Sequence, residues 1–132
     1  MIFLAKTTSE IKNLKPNGFV LIDDAPCRVE RVQVSSSGKH GHSKVRLDAL
    51  GLLDNVRRSI IKPADDVVDV PIVEKKKAQV LSITGNKAQI MDLADYSVFE
   101  LDIPEERKDQ VKQGEEIDYF EVMDVKTLKE LK

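Results

Sequence analysis

A short segment around Lys39 holds the residue types in this chain that are best suited to chemistry. Residues 35–43 read Ser-Ser-Ser-Gly-Lys-His-Gly-His-Ser and include no acidic side chain. Gly38 and Gly41 allow positive φ on either side of the lysine, and the serines are small. We therefore expect Lys39 at the tip of a projecting hairpin loop, where its amine meets partners first.

Catalytic roles for this lysine are disfavoured. Gly38-Lys39 resembles the end of a Walker A phosphate loop, but Gln33 stands at the position of the first glycine and His40 at that of the Ser or Thr. A Schiff-base lysine needs desolvation to lower its pKa, which a glycine-serine loop does not provide. The sequence offers no nucleophile paired with a base and no pair of pocket carboxylates. We expect no catalytic residue and no enzyme activity.

A metal site is also disfavoured. His40 and His42 are the only two histidines of the chain, and Cys27 is its only cysteine. Two imidazoles on a loop do not close a coordination shell, and the thiol is predicted inside a strand at the far end of a hairpin arm. We therefore expect neither a metal nor a bound cofactor, and we expect the two histidines to hold or present the loop tip.

The flanks of the segment predict a β-hairpin. Apolar Cys27, Val29, Val32 and Val34 alternate with polar residues, and the alternation slips once at Arg31, which indicates a bulge. After the loop, apolar residues return at every second position from 45 to 49. A nine-residue hairpin loop is longer than packing requires, and long loops in compact domains are usually functional.

Turn signals and short apolar runs along the rest of the chain predict a mainly β protein built from two small barrels. We place the first domain at residues 1–70 and the second at 71–132, where three strands precede a helix that starts at Pro104 and ends after Val111. A strand from Ile117 to Val125 and a short basic tail, Thr127 to Lys132, complete the prediction. This order is typical of an OB-type barrel.

Charge is distributed unevenly along the chain. Residues 28–62 carry eight basic and three acidic side chains, a net charge of +5, against −2 for the whole chain. Such a segment fits a phosphate-rich partner or an ordinary solvated surface, and Arg57 and Arg58 are open to either interpretation. A single cysteine and the absence of a long apolar run favour a reducing cytoplasmic compartment without a membrane anchor.

A resemblance to a known family narrows these alternatives. Gly38-Lys39-His40-Gly41-His42, followed by Lys44-Val45, closely resembles the modification loop of the archaeal and eukaryotic translation initiation factor 5A family, which is related to bacterial elongation factor P. The similarity continues at Lys15-Pro16, at residues 78–82 and at residues 99–104. Without eukaryote-type extensions the chain looks archaeal. Ser36 and Ser37 depart from the family pattern, which commonly has Lys and then Thr or Pro there.

The resemblance implies an N-terminal SH3-like barrel that carries the loop, followed by an OB-fold domain with one short helix. It implies that deoxyhypusine synthase transfers an aminobutyl group from spermidine to Lys39, giving deoxyhypusine or hypusine. It further implies binding to the ribosome beside the acceptor end of P-site tRNA and relief of stalling at proline runs. Lys44, Arg46, Arg57 and Arg58 are the candidate RNA contacts. The implied partners include neither DNA nor a membrane.

A free-standing RNA-binding or RNA-chaperone module is the alternative function. It would use residues 71–132, which carry a net charge of −4 and contain Tyr96, Phe99, Tyr119 and Phe120 as their aromatic residues. That composition is poor material for a stacking platform. The translation factor is therefore the preferred interpretation.

Overall fold

The computed structural model describes residues 6–36 and 43–131, which form eleven strands and two single 3-10 turns. The predicted fold class, mainly β with two small barrel-like units, is confirmed. The chain divides between Ile72 and Val73, whereas the predicted boundary lies between residues 70 and 71. The strands are β1 Lys6–Glu10, β2 Phe19–Ile22, β3 Ala25–Ser35, β4 Lys44–Gly51, β5 Arg57–Pro63, β6 Val67–Pro71, β7 Val73–Thr84, β8 Lys87–Asp92, β9 Val98–Asp102, β10 Glu116–Val122 and β11 Val125–Thr127.

The first unit contains a four-stranded antiparallel sheet in the order β2-β3-β4-β5 and a two-stranded sheet of β1 and β6. The alternation predicted for β4 is present, since Val45, Leu47 and Ala49 are buried and their neighbours face outward. Burying every second side chain of a strand places one face of the sheet on the core. The core consists of Ile11, Val20, Ile22, Cys27, Val29, Val45, Leu47, Ala49 and Val68.

The predicted bulge is also confirmed. The register between β3 and β4 shifts between Val29 and Arg31, so that Glu30 is the extra residue. A bulge restores the inward direction of the residues that follow it, and Val32 accordingly packs against the core opposite Leu47. Val34 is two residues further along β3 and points to the same face as Val32, yet it is 64% exposed. The end of β3 therefore leaves the core before the chain reaches residue 36, whereas Val45, which is opposite Val34 on β4, is still fully buried.

The second unit contains one antiparallel sheet in the order β11-β10-β7-β8-β9. Its core holds Ala78, Val80, Ala88, Ile90, Ile103, Val111, Ile117, Tyr119 and Leu128. The Tyr119 hydroxyl donates a short hydrogen bond to the buried Asp92 carboxylate, which also accepts from the amides of Ala94 (2.7 Å) and Asp95 (3.1 Å). These bonds lower the pKa of Asp92, and burial raises the pKa of Tyr119.

Three details of the second unit differ from prediction. The helix expected from Pro104 is a single 3-10 turn, Glu105–Arg107, because the chain turns there to bury the Arg107 side chain. The expected last strand is divided into β10 and β11 by a turn in which Met123 and Asp124 have φ of 48° and 63°. The predicted basic tail also contains two fully buried side chains, Leu128 and Leu131, of which Leu128 belongs to the core.

Candidate nucleic-acid interface

The residues predicted to carry the modification, Lys39 with Gly38, His40, Gly41 and His42, lie outside the described residues. The structure does describe the two strands that lead to and from them. Ser35 at the end of β3 pairs directly with Lys44 at the start of β4. Because these ends are paired, the intervening chain leaves and returns at the same end of one hairpin. Of the predicted nine-residue loop, Ser35 belongs to the β3 strand.

The outgoing arm of the hairpin, Ser43 and strand β4, is also hydrogen-bonded to the turn that follows β5. The Ser43 carbonyl accepts a 2.9 Å hydrogen bond from the Ala64 amide, and the Ala64 carbonyl accepts one of 3.3 Å from the Lys12 amide. The Lys12 ammonium contacts Asp65 at 2.7 Å and Glu10 at 3.1 Å, and both contacts raise its pKa. The turn after β5 therefore connects the outgoing arm to the 3-10 turn after β1.

Lys44, Arg46 and Arg57 lie on the outer face of the four-stranded sheet. Residues that are directly opposite on antiparallel strands form a row across the sheet and share one of its faces. Arg46 is opposite Gln33, and Arg57 is opposite Leu50, and both rows face away from the core. Arg46 Nε lies 3.3 Å from an Asp48 carboxylate oxygen. Arg57 Nε lies 3.4 Å from Glu30 Oε1. The structure therefore brings three of the four predicted RNA contacts to one surface.

A further cation on this surface is absent from the sequence-based candidates. Arg31 is opposite Asp48, which in turn is opposite Ser59, so the three form a row across β3, β4 and β5. Arg31, Arg46 and Arg57 line a shallow cavity of about 380 Å³. Arg31 could have been found from the bulge at Glu30. Strict alternation from the buried Val29 would turn Arg31 towards the core, whereas the extra residue places it on the outer face.

Asp48 is held ionised at the centre of this surface. The Ser59 hydroxyl donates a short hydrogen bond to Asp48, and the Arg46 and Arg31 charges are nearby. The hydrogen bond from Ser59 is the largest influence that lowers the pKa of Asp48, and Arg46 adds to it. A carboxylate in this state orients the guanidinium beside it.

Arg58, the fourth predicted RNA contact, points to the opposite side of the sheet. It is opposite the buried Ala49 and donates to both carboxylate oxygens of Asp54, at 3.2 Å and 2.8 Å. A Cβ on Gly51 would lie 1.9 Å from Asp54 Oδ1 and 2.9 Å from Arg58 Nη1, so a larger residue there would displace this ion pair. Burial raises the pKa of the nearby Cys27 thiol. Arg58 lines the same cavity as Arg46 and Arg57, but its guanidinium is bound to Asp54.

The Asp54–Arg58 pair makes the stability of the first unit dependent on pH. The bonds from Arg58 and from the Val56 amide lower the pKa of Asp54 from 3.8 to about 2. A depressed folded-state pKa contributes stability that is present above pH 3.8 and is lost as the pH falls towards 2. We therefore expect Asp54→Asn to flatten the acid side of a plot of urea midpoint against pH.

The matched control for that measurement is Asp24→Asn. Asp24 is exposed, and its φ of 62° suits asparagine. Its profile is expected to follow that of the unsubstituted protein. Identical acid slopes for Asp54→Asn and the unsubstituted protein would contradict the proposed role of the ion pair.

Two further features of the described residues bear on the kind of site. Within residues 6–36 and 43–131, no group of three or more His, Cys, Asp or Glu side chains is arranged to hold a metal ion. In the same ranges, no helix has the length and apolar character needed to span a membrane.

Comparisons with known proteins identify relatives along most of the chain. Residues 5–65 match the family model "Translation initiation factor 5A-like, N-terminal". Translation initiation factor 5A of Methanocella arvoryzae is 55% identical over 118 residues, which cover 89% of this chain and 92% of that protein. The corresponding protein of Archaeoglobus fulgidus is 49% identical over 116 residues, with coverage of 88% and 91%.

A solved structure agrees with these sequence relatives. The structure of "eukaryotic translation initiation factor 5A from Methanococcus jannaschii" superposes with a TM-score of 0.85 at 35% identity, covering 96% of this chain and 95% of that one. Relatives at this identity and coverage share both fold and ancestry with the chain. The chain therefore belongs to the archaeal translation initiation factor 5A family, and its role is that of a translation factor in protein biosynthesis.

Proposed function

We propose that this factor acts on the ribosome through a modified Lys39. Deoxyhypusine synthase would transfer the aminobutyl group of spermidine to the Lys39 amine and release the remainder as 1,3-diaminopropane, giving deoxyhypusine or, after hydroxylation, hypusine. The modified side chain would then lie beside the acceptor end of P-site tRNA and promote peptide-bond formation where elongation stalls, as at proline runs. The observation that carries this proposal is the Gly38–His42 motif between the paired ends of a hairpin in a member of this family.

The modification has a simple physical rationale. It lengthens the lysine side chain and adds a second cationic nitrogen, so that the side chain reaches further and makes more charge-assisted hydrogen bonds to RNA oxygens. The peptidyl transfer itself stays with the ribosome, and the factor contributes positioning, so no catalytic residue is required of this chain. Because the ribosome is the partner, we place the protein in the cytoplasm.

The paired strands provide the rigidity that such positioning requires. β3 and β4 remain in register up to Ser35 and Lys44, and Ser43 is held by the Ala64 amide. A site supported by strands holds its geometry better than one supported by loops alone. Lys44, Arg46 and Arg57 face the same side of the sheet and would contact RNA, whereas Arg58 is occupied by Asp54.

Mass spectrometry of the protein purified from its native host tests the modification. We expect the peptide that contains Lys39 to carry one added aminobutyl group, with or without one further oxygen, and the other lysine-containing peptides to be unmodified. The same chain produced in a host that lacks deoxyhypusine synthase is the control and should give the unmodified mass. An unmodified Lys39 in protein from actively growing native cells would contradict the proposal.

A further inference from the structure

The outer face of the four-stranded sheet presents three guanidinium groups around one hollow. Arg31, Arg46 and Arg57 line a cavity of about 380 Å³, together with Asp48 and Ser59. The side chains of Arg46 and Arg57 are 53% and 77% exposed, and Arg31 is exposed as well. The carboxylates that line the cavity are those of Glu30 and Asp48. Arg58 lines it as well, but its guanidinium is bound to Asp54, which leaves three guanidinium groups against two carboxylates and an excess of positive charge.

The carboxylates of Asp48 and Glu30 orient Arg46 and Arg57 and leave part of each guanidinium open to a ligand. The ion pair of Arg46 with Asp48 and that of Arg57 with Glu30 both run through Nε. In the described part of the chain, neither arginine donates a hydrogen bond from its terminal nitrogens, which are the atoms that bind a planar anion in a forked geometry. The guanidinium groups are therefore held at one edge and open at the other.

We propose that this hollow binds consecutive backbone phosphodiester groups of RNA, with Arg31, Arg46 and Arg57 in direct contact. RNA as the ligand rests on the proposed ribosomal function. The arrangement favours a polyanion over a single small anion, because the rows of Arg46 and Arg57 are four residues apart on the sheet, or about 13 Å. The row of Lys44 extends the same line of cations to about 20 Å, towards the hairpin end.

Arg31 is included in this proposal because of its position on the sheet and not only because of its charge. In the row across the sheet it stands opposite the ionised Asp48, between the rows of Arg46 and Arg57. Among the described residues, Arg31 forms no ion pair within 4.0 Å. Its guanidinium is therefore available to a phosphate, whereas that of Arg58 is held by two bonds from Asp54.

The experiment measures binding of the full chain to a labelled single-stranded RNA by fluorescence anisotropy over a range of salt concentrations. Arg31→Gln, Arg46→Gln and Arg57→Gln are each expected to weaken binding about three- to tenfold and to reduce the salt slope by about 0.7. Lys108→Gln is the matched control, since Lys108 is an exposed cation paired with Glu105 in the other unit. Its binding curve should overlay that of the unsubstituted protein.

Three results would overturn the proposal. The first is an unchanged affinity and salt slope in the triple Gln variant, provided that its thermal midpoint matches that of the unsubstituted protein. The second is binding of inorganic phosphate or pyrophosphate at the hollow with no RNA binding, which indicates a small-anion site. The third is binding of an acidic peptide in preference to RNA. The assay uses protein with unmodified Lys39, so an absence of the aminobutyl group in native cells would contradict the proposed function and leave this result unaffected.

Discussion

Replacing Lys39 with arginine is expected to reduce translation through proline runs to the level seen without the factor. Arginine keeps one positive charge at the position, but its guanidinium cannot take the aminobutyl group and cannot reach as far as the extended amine. The variant therefore separates the modification from the charge. The measurement is the yield of a reporter with a proline run, relative to one without it, in a translation system that is depleted of the native factor.

The matched control for this experiment is Lys87→Arg, the same chemical change at an exposed lysine that pairs with Asp102 at 2.8 Å. An arginine preserves that ion pair, so the control protein should stimulate the reporter as the unsubstituted factor does. If Lys39→Arg supports the proline-run reporter as fully as Lys87→Arg, the proposed role of the modified lysine is wrong.

Replacing Arg107 with methionine is expected to lower the free energy of unfolding of the second unit by about 3 kcal/mol. Arg107 is 5% exposed, and its Nη1 donates to the carbonyls of Asp118 and Leu128, each at 2.7 Å. Methionine fills much of the space of the arginine stem but leaves both carbonyls without their donor, and each loss costs about 1–3 kcal/mol in a buried setting. Urea unfolding followed by circular dichroism measures the change.

Lys108→Met provides the control for the loss of a cation at the neighbouring position. The Lys108 side chain is 56% exposed and pairs with Glu105 at 3.2 Å, so its removal is expected to change the stability by less than about 0.5 kcal/mol. Equal losses in the two variants would show that the carbonyl contacts of Arg107 contribute little. Because the chain forms two units, the transition of each unit is followed separately.

The β3–β4 hairpin could be predicted from sequence because its signals are local. The alternation of apolar residues in β4 and the slip near Arg31 both depend on neighbours within a few positions, and the structure has both. Periodicity and turn signals also predict the mainly β class and the three strands of the second unit that precede Pro104. The motif around Lys39 was evident for the same reason, since it is contiguous in the chain.

Other features depend on partners that are distant in sequence or on exact register. Arg57 and Arg58 are adjacent and chemically alike, and only their pairing with β4 shows that one faces outward while the other binds Asp54. Leu128 and Leu131 stand among charged residues and resemble a solvated tail, but both side chains are fully buried, and Leu128 belongs to the core of the second unit. Arg107 is buried because carbonyls from two separate segments accept its hydrogen bonds.

The position of β4 between β3 and β5 makes the two arms of the hairpin mechanically unequal. β4 is flanked by strands on both sides, whereas in the described chain the strand next to Arg31–Ser35 is β4 alone. A load applied through Lys39 would therefore peel the incoming strand away before it disturbed the outgoing one.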